Sequence, residues 1–225
     1  EAMNRYGSDK PDTRYGMELI DITDEVSSSE FVVFKSATAE GGTVRAINAK
    51  NAVSALSRKE IDKLTDYVKG IGAKGLAWIR MTDDGVSSSF AKFMTEDEMN
   101  AILKKTGAEK GDVILIVADK IKNHVLTVLG ALRQKVAKKL DIIPEGKYNF
   151  LWITEFPFFE WDEESQSWLA MHHPFTSPRI EDLDKLDSGD LGNVKSIAYD
   201  IVYNGTELGG GSVRIHSSEV QSKIF

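Results

Sequence analysis

The stretch that decides the fold and the site is residues 196–216, which read SIAYDIVYNGTELGGGSVRIH. Its first half alternates apolar and aromatic residues with others, which predicts a half-buried strand. Asn204-Gly205 follows, and a type I′ turn favours this pair because both of its central residues take positive φ. A two-residue turn sets the register of a hairpin. The sequence therefore predicts that Tyr203 pairs with Thr206, Val202 with Glu207 and Ile201 with Leu208.

Two acids, a run of glycines and one arginine come together on this hairpin. In the predicted register Asp200 and Glu207 lie diagonally on one face, within reach of a shared ion. The glycines 209–211 weaken a strand unless something approaches its backbone closely. Arg214 is then carried onto the sheet beside the two acids. The combination favours a binding site, although acids on an open hairpin face are often only solvated and three glycines also fit a simple bulge.

The composition is that of a globular chain. It has 225 residues, of which 41% are hydrophobic and 28% charged. No apolar run approaches the roughly 18 residues of a membrane span, and no signal peptide opens the sequence, so we expect no membrane partner. Cysteine is absent, which excludes disulfides and thiolate metal sites. The net charge of −7 argues against bulk electrostatic capture of nucleic acid, although a local basic face could still do it.

Residues 31 to about 140 predict a compact α+β unit with a core of its own, which we expect to fold independently. Strands are predicted at 31–34, 43–47, 75–81 and 112–118. Capping boxes at Ser57/Glu60 and Thr95/Glu98 open two helices, and a third helix starts near residue 120. Its polar face is basic, which suits a phosphate backbone but equally suits a helix dipole or simple solvation. The basic residues are Lys120, Lys122, Arg133, Lys135, Lys138 and Lys139.

The last third of the chain predicts a central strand at 148–154 and a hairpin whose turn lies at 163–167. Its second strand leads to Met171-His172-His173-Pro174-Phe175-Thr176. Adjacent histidines in an extended segment point to opposite sides. A zinc site would need further ligands, and no other histidine or cysteine lies at suitable local spacing. From the residues alone, one of the histidines would be a satisfied core residue.

Several stretches resemble one family. They are YNGxELGGGSxRIH with AYD before it, RYGSDKPDxR near the beginning, and LWITEFPFFEWDEE followed by WLAMHHPFTSP. These resemble bacterial-type aspartyl-tRNA synthetases, which are class II enzymes. FVVFKSATAEGGTVRAINAKNA and GALRQKVAKKL resemble the GAD domain inserted in that family. The resemblance covers essentially the whole chain and implies an α+β fold: an inserted GAD-type α/β sandwich domain plus part of a class II antiparallel-sheet catalytic domain.

The resemblance also implies a division of the chain. Residues 1–30 would be a catalytic-domain segment and linker, 31–143 the GAD insertion, and 144–225 a second catalytic-domain segment. The two class II motifs that each supply an ATP-binding arginine, motifs 2 and 3, are missing from these residues. The anticodon-reading OB-fold domain of the family is missing as well. We therefore expect a fragment that is inactive alone, cut from a cytoplasmic homodimer.

The reaction implied by the resemblance joins L-aspartate to the α-phosphate of ATP and then transfers the aspartyl group to tRNA-Asp. His172, with His173 as its neighbour, and Arg214 would contact L-aspartate. Glu207 would bind ATP and, together with Asp200, hold Mg²⁺. The substrate would lie against the backbone of Gly209, Gly210 and Gly211. No residue is assigned to the chemical step itself.

Two functions of other classes stay open. The chain could be a tRNA- or protein-binding module without catalysis, which a basic concave face near residues 135–139 would favour. It could also belong to a different magnesium-dependent ligase that uses only the hairpin, although YGSDKPD and MHHPFT would then be coincidences.

Overall fold

The structure is a computed structural model that describes residues 1–162, 164–171 and 173–224. Its chain divides into two compact units, Glu1–Lys147 and Tyr148–Phe225. Within the described residues, no helix combines the length and the apolar character needed to cross a membrane.

The first unit is a five-stranded antiparallel sheet with helices on both faces. The strand order is β1-β2-β5-β3-β4, and every neighbouring pair is antiparallel. The predicted mixture of helices with an antiparallel sheet is confirmed. The strands are β1 (Ile20–Asp21), β2 (Thr43–Ala49), β3 (Ala77–Thr82), β4 (Gly85–Ser88) and β5 (Val113–Asp119). The helices are α1 (Ala2–Tyr6), α2 (Val32–Ala39), α3 (Arg58–Gly70), α4 (Glu96–Thr106) and α5 (Lys122–Lys139).

Alternation along the central strands builds a separate core on each side of this sheet. Ile47 and Leu115 face one side, where they pack with the buried residues of α3 and α5. Ala46 and Ile116 face the other side and pack with α2 and α4. Because β5 is covered on both faces, its VILIV run is apolar throughout instead of alternating.

Two local predictions in this unit need correction. The apolar run at 31–34 is the beginning of α2 and not a strand, since a short apolar run does not distinguish a buried strand from a buried helix. At α4 the full capping box is present, with Thr95 and Glu98 bonding each other's backbone. At α3 only half of it forms: Ser57 accepts from the Glu60 amide, while the Glu60 carboxylate pairs with Lys63 and Lys139.

The first seventeen residues pack on α5, where the buried Arg133 binds their carbonyl groups. Arg133 is 1% exposed, and its guanidinium donates to the carbonyls of Asp12 (2.7 Å) and Gly16 (2.6 Å). It also lies 4.2 Å from the centroid of the Tyr15 ring. Burial lowers the pKa of this guanidinium, and the nearby Tyr15 and Asp12 oppose the shift. These acceptors replace the water that the cation has lost.

The chain of α1 also crosses α5 at backbone contact. Gly7 ends α1 in the left-handed region (φ 66°), and a Cβ there would overlap the backbone of Gly130. With Arg133 one turn further along α5, the crossing joins the beginning of the chain to the sheet unit. Leu19, Ile22 and Val26 then enter the two cores. The boundary expected between residues 30 and 31 stays a prediction, and these contacts favour a unit that starts earlier.

The second unit contains a three-stranded antiparallel sheet of order β10-β9-β6 and a separate hairpin, β7-β8. A strand forms within the predicted 148–154, but it is not central: β6 pairs with β9 alone among the described strands and lies at the edge of the sheet. The predicted hairpin about 163–167 is confirmed. The strands are β6 (Phe150–Thr154), β7 (Phe159–Asp162), β8 (Ser167–Ala170), β9 (Ala198–Tyr203) and β10 (Thr206–Ser212), and the helices are α6 (Leu183–Ser188) and α7 (Ser218–Ile224). On one face the ring of Phe150 packs against Tyr203 in a tilted arrangement and that of Trp152 packs edge-to-face with Tyr199, while Val202 is buried on the other face.

Candidate functional site

The β9-β10 hairpin has the predicted turn. Asn204 and Gly205 take φ of 49° and 85°, as a type I′ turn requires. Tyr203 pairs with Thr206 and Val202 with Glu207, so the first two predicted pairs are confirmed. Residues that face each other across an antiparallel pair point to the same side of the sheet. Glu207 therefore lies on the face of Val202, which is also the face of Asp200.

The third predicted pair is wrong. Ile201 pairs with Gly209 and not with Leu208, because the register shifts between Glu207 and Gly209. Leu208 is the extra residue of a β-bulge, and its side chain is 56% exposed. The glycines that follow allow the local kink that a bulge produces. A two-residue turn fixes the register only as far as the strand continues without a bulge.

This bulge decides which side of the sheet Arg214 faces. Glu207 and Arg214 are seven residues apart, so uninterrupted alternation would place them on opposite faces. With one residue absorbed by the bulge, Gly210 pairs with Asp200 and Ser212 with Ala198. Alternation from Ser212 then brings Arg214 to the face that carries the two acids. A one-residue change of register reverses every side chain beyond it.

The three glycines differ in what lies over them. A Cβ at Gly210 would overlap the carboxylate of Asp200, and one at Gly211 would come within 2.7 Å of the Tyr199 hydroxyl. At Gly209 no atom of the described residues lies within 4 Å of the Cβ position. The backbone expected to lie bare for a substrate is thus open at Gly209 and covered by partner-strand side chains at the other two.

The segment after the histidines, residues 175–177, pairs with the segment that contains Arg214. Ser177 donates to the Val213 carbonyl (2.7 Å), and Ile215 donates to the Phe175 carbonyl (2.9 Å). Thr176 therefore pairs with Arg214 in an antiparallel bridge. The MHHPFT motif and the GGGSVR motif, 36 residues apart at Thr176 and Ser212, are thus joined into one hydrogen-bonded unit.

Of the two histidines, His172 lies outside the described residues. His173 is exposed, and its ring nitrogen Nδ1 accepts a hydrogen bond from the amide of Phe175 (3.1 Å). The His173 carbonyl accepts from the Thr176 amide (2.9 Å), which closes a tight turn. This turn connects His173 directly to the residue that pairs with Arg214.

The acids fit a hard divalent cation. Across the described residues, no three His, Asp or Glu side chains gather in a group that could hold a metal ion. Magnesium, however, usually takes one or two protein carboxylates and keeps several of its waters. Asp200 and Glu207, diagonal on one face beside the glycine backbone, supply that donor set. Arg214 adds a planar fork that suits a carboxylate on the same face.

The predicted basic face of α5 is interrupted. Arg133 is buried under the first segment of the chain. Lys139 pairs with Glu60 and Lys120 with Glu40, and Lys135 lies over the ring of Tyr67. Cations occupied in this way no longer form a continuous strip for a phosphate backbone.

Sequence reasoning missed two features of this site. The signal for the bulge at Leu208 was the spacing of Glu207 and Arg214. They are seven residues apart, an odd number, so regular alternation would place them on opposite faces. Thr176 had no signal outside its motif, because its partner lies 38 positions further along the chain.

Comparison with known proteins finds one domain family and several close relatives. Residues 34–129 match the family model of the GAD domain. The whole chain is 58% identical to an aspartate–tRNA ligase of Ruminiclostridium cellulolyticum and 55% identical to those of Agathobacter rectalis and Clostridium beijerinckii. Each alignment covers 100% of this chain but only 37–38% of the relative. The chain therefore carries a GAD domain and is similar, along its whole length, to a part of bacterial aspartate–tRNA ligases.

Proposed function

We propose that this chain is part of an enzyme that activates L-aspartate with ATP and transfers it to tRNA-Asp. The observation that carries the proposal is the shared face of Asp200, Glu207 and Arg214, produced by the bulge in the hairpin. Relatives that are 55–58% identical along the chain are aspartate–tRNA ligases, which supports the proposal. We further propose that the full enzyme is cytoplasmic and homodimeric, as the family resemblance implies.

Each residue of the shared face has a task that its chemistry suits. Arg214 would hold the side-chain carboxylate of aspartate, because a guanidinium forms two parallel hydrogen bonds to a carboxylate. Asp200 and Glu207 would hold Mg²⁺, which when bound neutralises charge on the phosphates of ATP. His172 and His173 would contact aspartate from the turn that leads to Thr176. Phosphoryl displacement needs positioning and charge stabilisation more than covalent help, which fits a site without an assigned nucleophile.

A substrate held by Arg214 would approach the glycine run from the face of the two acids, where the Asp200 carboxylate covers Gly210. The open space at Gly209 lies on the opposite face, because Gly209 pairs with Ile201. The inserted segment is proposed to span 31–143, with the GAD match at 34–129 inside it, and to fold together with residues 1–30 as one unit; 144–225 is proposed as a catalytic-domain segment.

The test is steady-state ATP–pyrophosphate exchange by the full-length enzyme, with each substrate varied in turn. Arg214→Gln should raise the aspartate KM steeply, since an unpaired carboxylate loses a charge-assisted bond worth about 1.5–3 kcal/mol. Glu207→Gln should instead weaken the use of magnesium–ATP. An Arg214→Gln enzyme with normal aspartate KM and impaired ATP binding would assign Arg214 to the nucleotide and refute the proposal.

The 225-residue chain alone provides a further comparison. We expect its exchange activity to stay at background, because its residues do not include the two arginine-bearing ATP motifs. Magnesium-dependent, aspartate-stimulated exchange by the purified chain would contradict this. The alternative of a tRNA-binding module has weaker support, since Arg133 is buried and Lys139 is paired with Glu60, which interrupts the basic face of α5.

A further inference from the structure

We propose that Thr176 is a positioning residue that fixes the side chain of Arg214 for its substrate carboxylate. The inference deepens the proposed function and rests on it. It starts from the bridge between Thr176 and Arg214, which joins the segment after the histidines to the strand after the glycines.

The hydrogen bonds around this bridge define its type. They run from Ser177 to Val213 and from Ile215 to Phe175, that is, between the neighbours of the bridged residues and not between the residues themselves. Such a non-hydrogen-bonded pair brings its two side chains closer than the hydrogen-bonded kind, with Cα atoms about 4.5 Å apart. Thr176 and Arg214 therefore stand side by side on one face, with the stem of the arginine next to the threonine.

The backbone on either side of Arg214 has little freedom to shift. The Val213 amide donates to the Ile197 carbonyl (2.9 Å), and the Val213 carbonyl accepts from the Ser177 amide. The Ile197 amide in turn donates to the Ser177 carbonyl (2.8 Å). These three bonds form a closed ring that joins three separate segments of the chain. Arg214 leaves this junction in a fixed direction, so the remaining freedom lies in its side-chain rotamers.

Thr176 is placed to restrict those rotamers. Thr176 is 3% exposed, so its side chain is held by the packing around it. The side chain of Arg214 is exposed and can change rotamer. A β-branched side chain has few χ1 rotamers, and the Thr176 hydroxyl is further directed toward the Ser212 hydroxyl at 3.4 Å. Beside this fixed side chain Arg214 has fewer accessible rotamers, so it loses less conformational entropy when it binds a carboxylate.

The experiment measures aspartate and ATP KM and kcat in the full-length enzyme for Thr176→Ala, Thr176→Val and Arg214→Gln. We expect Thr176→Ala to raise the aspartate KM about 5–10-fold with ATP KM and kcat nearly unchanged, because a misplaced binding group loses orientation. Thr176→Val keeps the branched shape and should restore most of the loss. Thr206→Ala, an exposed threonine on the same hairpin, is the matched control and should behave as wild type.

A double-mutant cycle separates positioning from general structural damage. If Thr176 acts through Arg214, then Thr176→Ala should add nothing to the aspartate KM of Arg214→Gln. Additive effects, equal effects on both substrates, or an unchanged aspartate KM in Thr176→Ala would each overturn the inference. If Thr176→Ala fails to fold, the same cycle with Thr176→Val decides, with an expected rise of about 2-fold that disappears in Arg214→Gln. An Arg214→Gln enzyme with normal aspartate KM would instead refute the proposed function.

Discussion

Asp200 lies directly opposite Gly210 across the β9-β10 pair, and its carboxylate occupies the space that a side chain at position 210 would need. The absence of a side chain at Gly210 therefore leaves room for the Asp200 carboxylate on the neighbouring strand. Gly209, one position earlier, has open space at its Cβ position among the described residues, although both glycines belong to the same run.

Gly210→Ala should displace the Asp200 carboxylate. Overpacking of this kind costs about 1–3 kcal/mol, and in the full-length enzyme we expect a raised magnesium requirement as well. Gly209→Ala is the matched control, because neither a contact nor a positive φ opposes its methyl group. Thermal unfolding of the chain and magnesium titration of the enzyme measure both effects. Equal behaviour of the two variants would mean that Asp200 can move away at no cost.

Deletion of single residues tests whether the bulge sets the face of Arg214. Removal of Leu208 leaves the pairs from Gly209 onward unchanged and makes the strand regular, so Arg214 should stay on the acid face. Removal of Val213, also an exposed apolar residue, should turn Arg214 to the other face. We expect the first deletion to retain aspartate-dependent exchange and the second to abolish it. Loss of exchange in both, with folding intact by circular dichroism, would contradict the register argument.

Arg133→Ala should destabilise the first unit by about 1–3 kcal/mol, because removal of a donor leaves buried acceptors unsatisfied. The acceptors of Asp12 and Gly16 would lose their donor, and tryptic cleavage after Arg14 should become faster. Lys138→Ala changes an exposed cation on the same helix and should alter stability by no more than about 0.5 kcal/mol. Chemical denaturation of both variants provides the comparison, and equal stabilities would refute the role of Arg133.

A polypeptide of residues 1–147 should unfold cooperatively, whereas one of residues 31–143 should be much less stable. The shorter chain lacks Leu19, Ile22 and Val26, which belong to the two cores. It also leaves the buried Arg133 without its carbonyl acceptors. Differential scanning calorimetry of both polypeptides tests this. Equal transitions would restore the independent folding expected from the sequence.

Asp112 should contribute to the acid limb of stability in the first unit, because it is the most deeply buried carboxylate there. Burial alone would raise the pKa of Asp112, but bonds from the amides of Asn51 and Glu109 (both 2.9 Å) and from Lys50 outweigh it and lower the pKa. The stability from a lowered carboxyl pKa is complete above the ordinary value near 4 and is lost as pH falls through the folded-state pKa.

Asp112→Asn should therefore lower stability at pH 7 by about 2–4 kcal/mol and flatten its decline below pH 4. Asp83→Asn removes an exposed carboxylate paired with Lys110 and should leave the Tm nearly unchanged. Thermal unfolding between pH 2 and 7 distinguishes them. An acid limb as steep in Asp112→Asn as in the wild type would show that other carboxylates control it.

Local chemistry in the sequence determined much of this protein. Asn204-Gly205 specified its turn, because the φ angles of a two-residue loop depend on those residues alone. The capping box at Thr95 and the apolar run of β5 likewise predicted their elements, and the motifs around His173 and Arg214 indicated the family. Each of these signals lies within a few neighbouring residues.

Tertiary structure decided what depends on residues far apart in the chain. The run at 31–34 became a helix because of the core it joins, and Arg133, which reads as part of a basic surface, became buried because residues 12–17 pack over it. The bulge at Leu208 and the bridge from Thr176 to Arg214 likewise depend on pairing between strands. Periodicity cannot predict them, because register and burial are properties of two segments in contact and not of either segment alone.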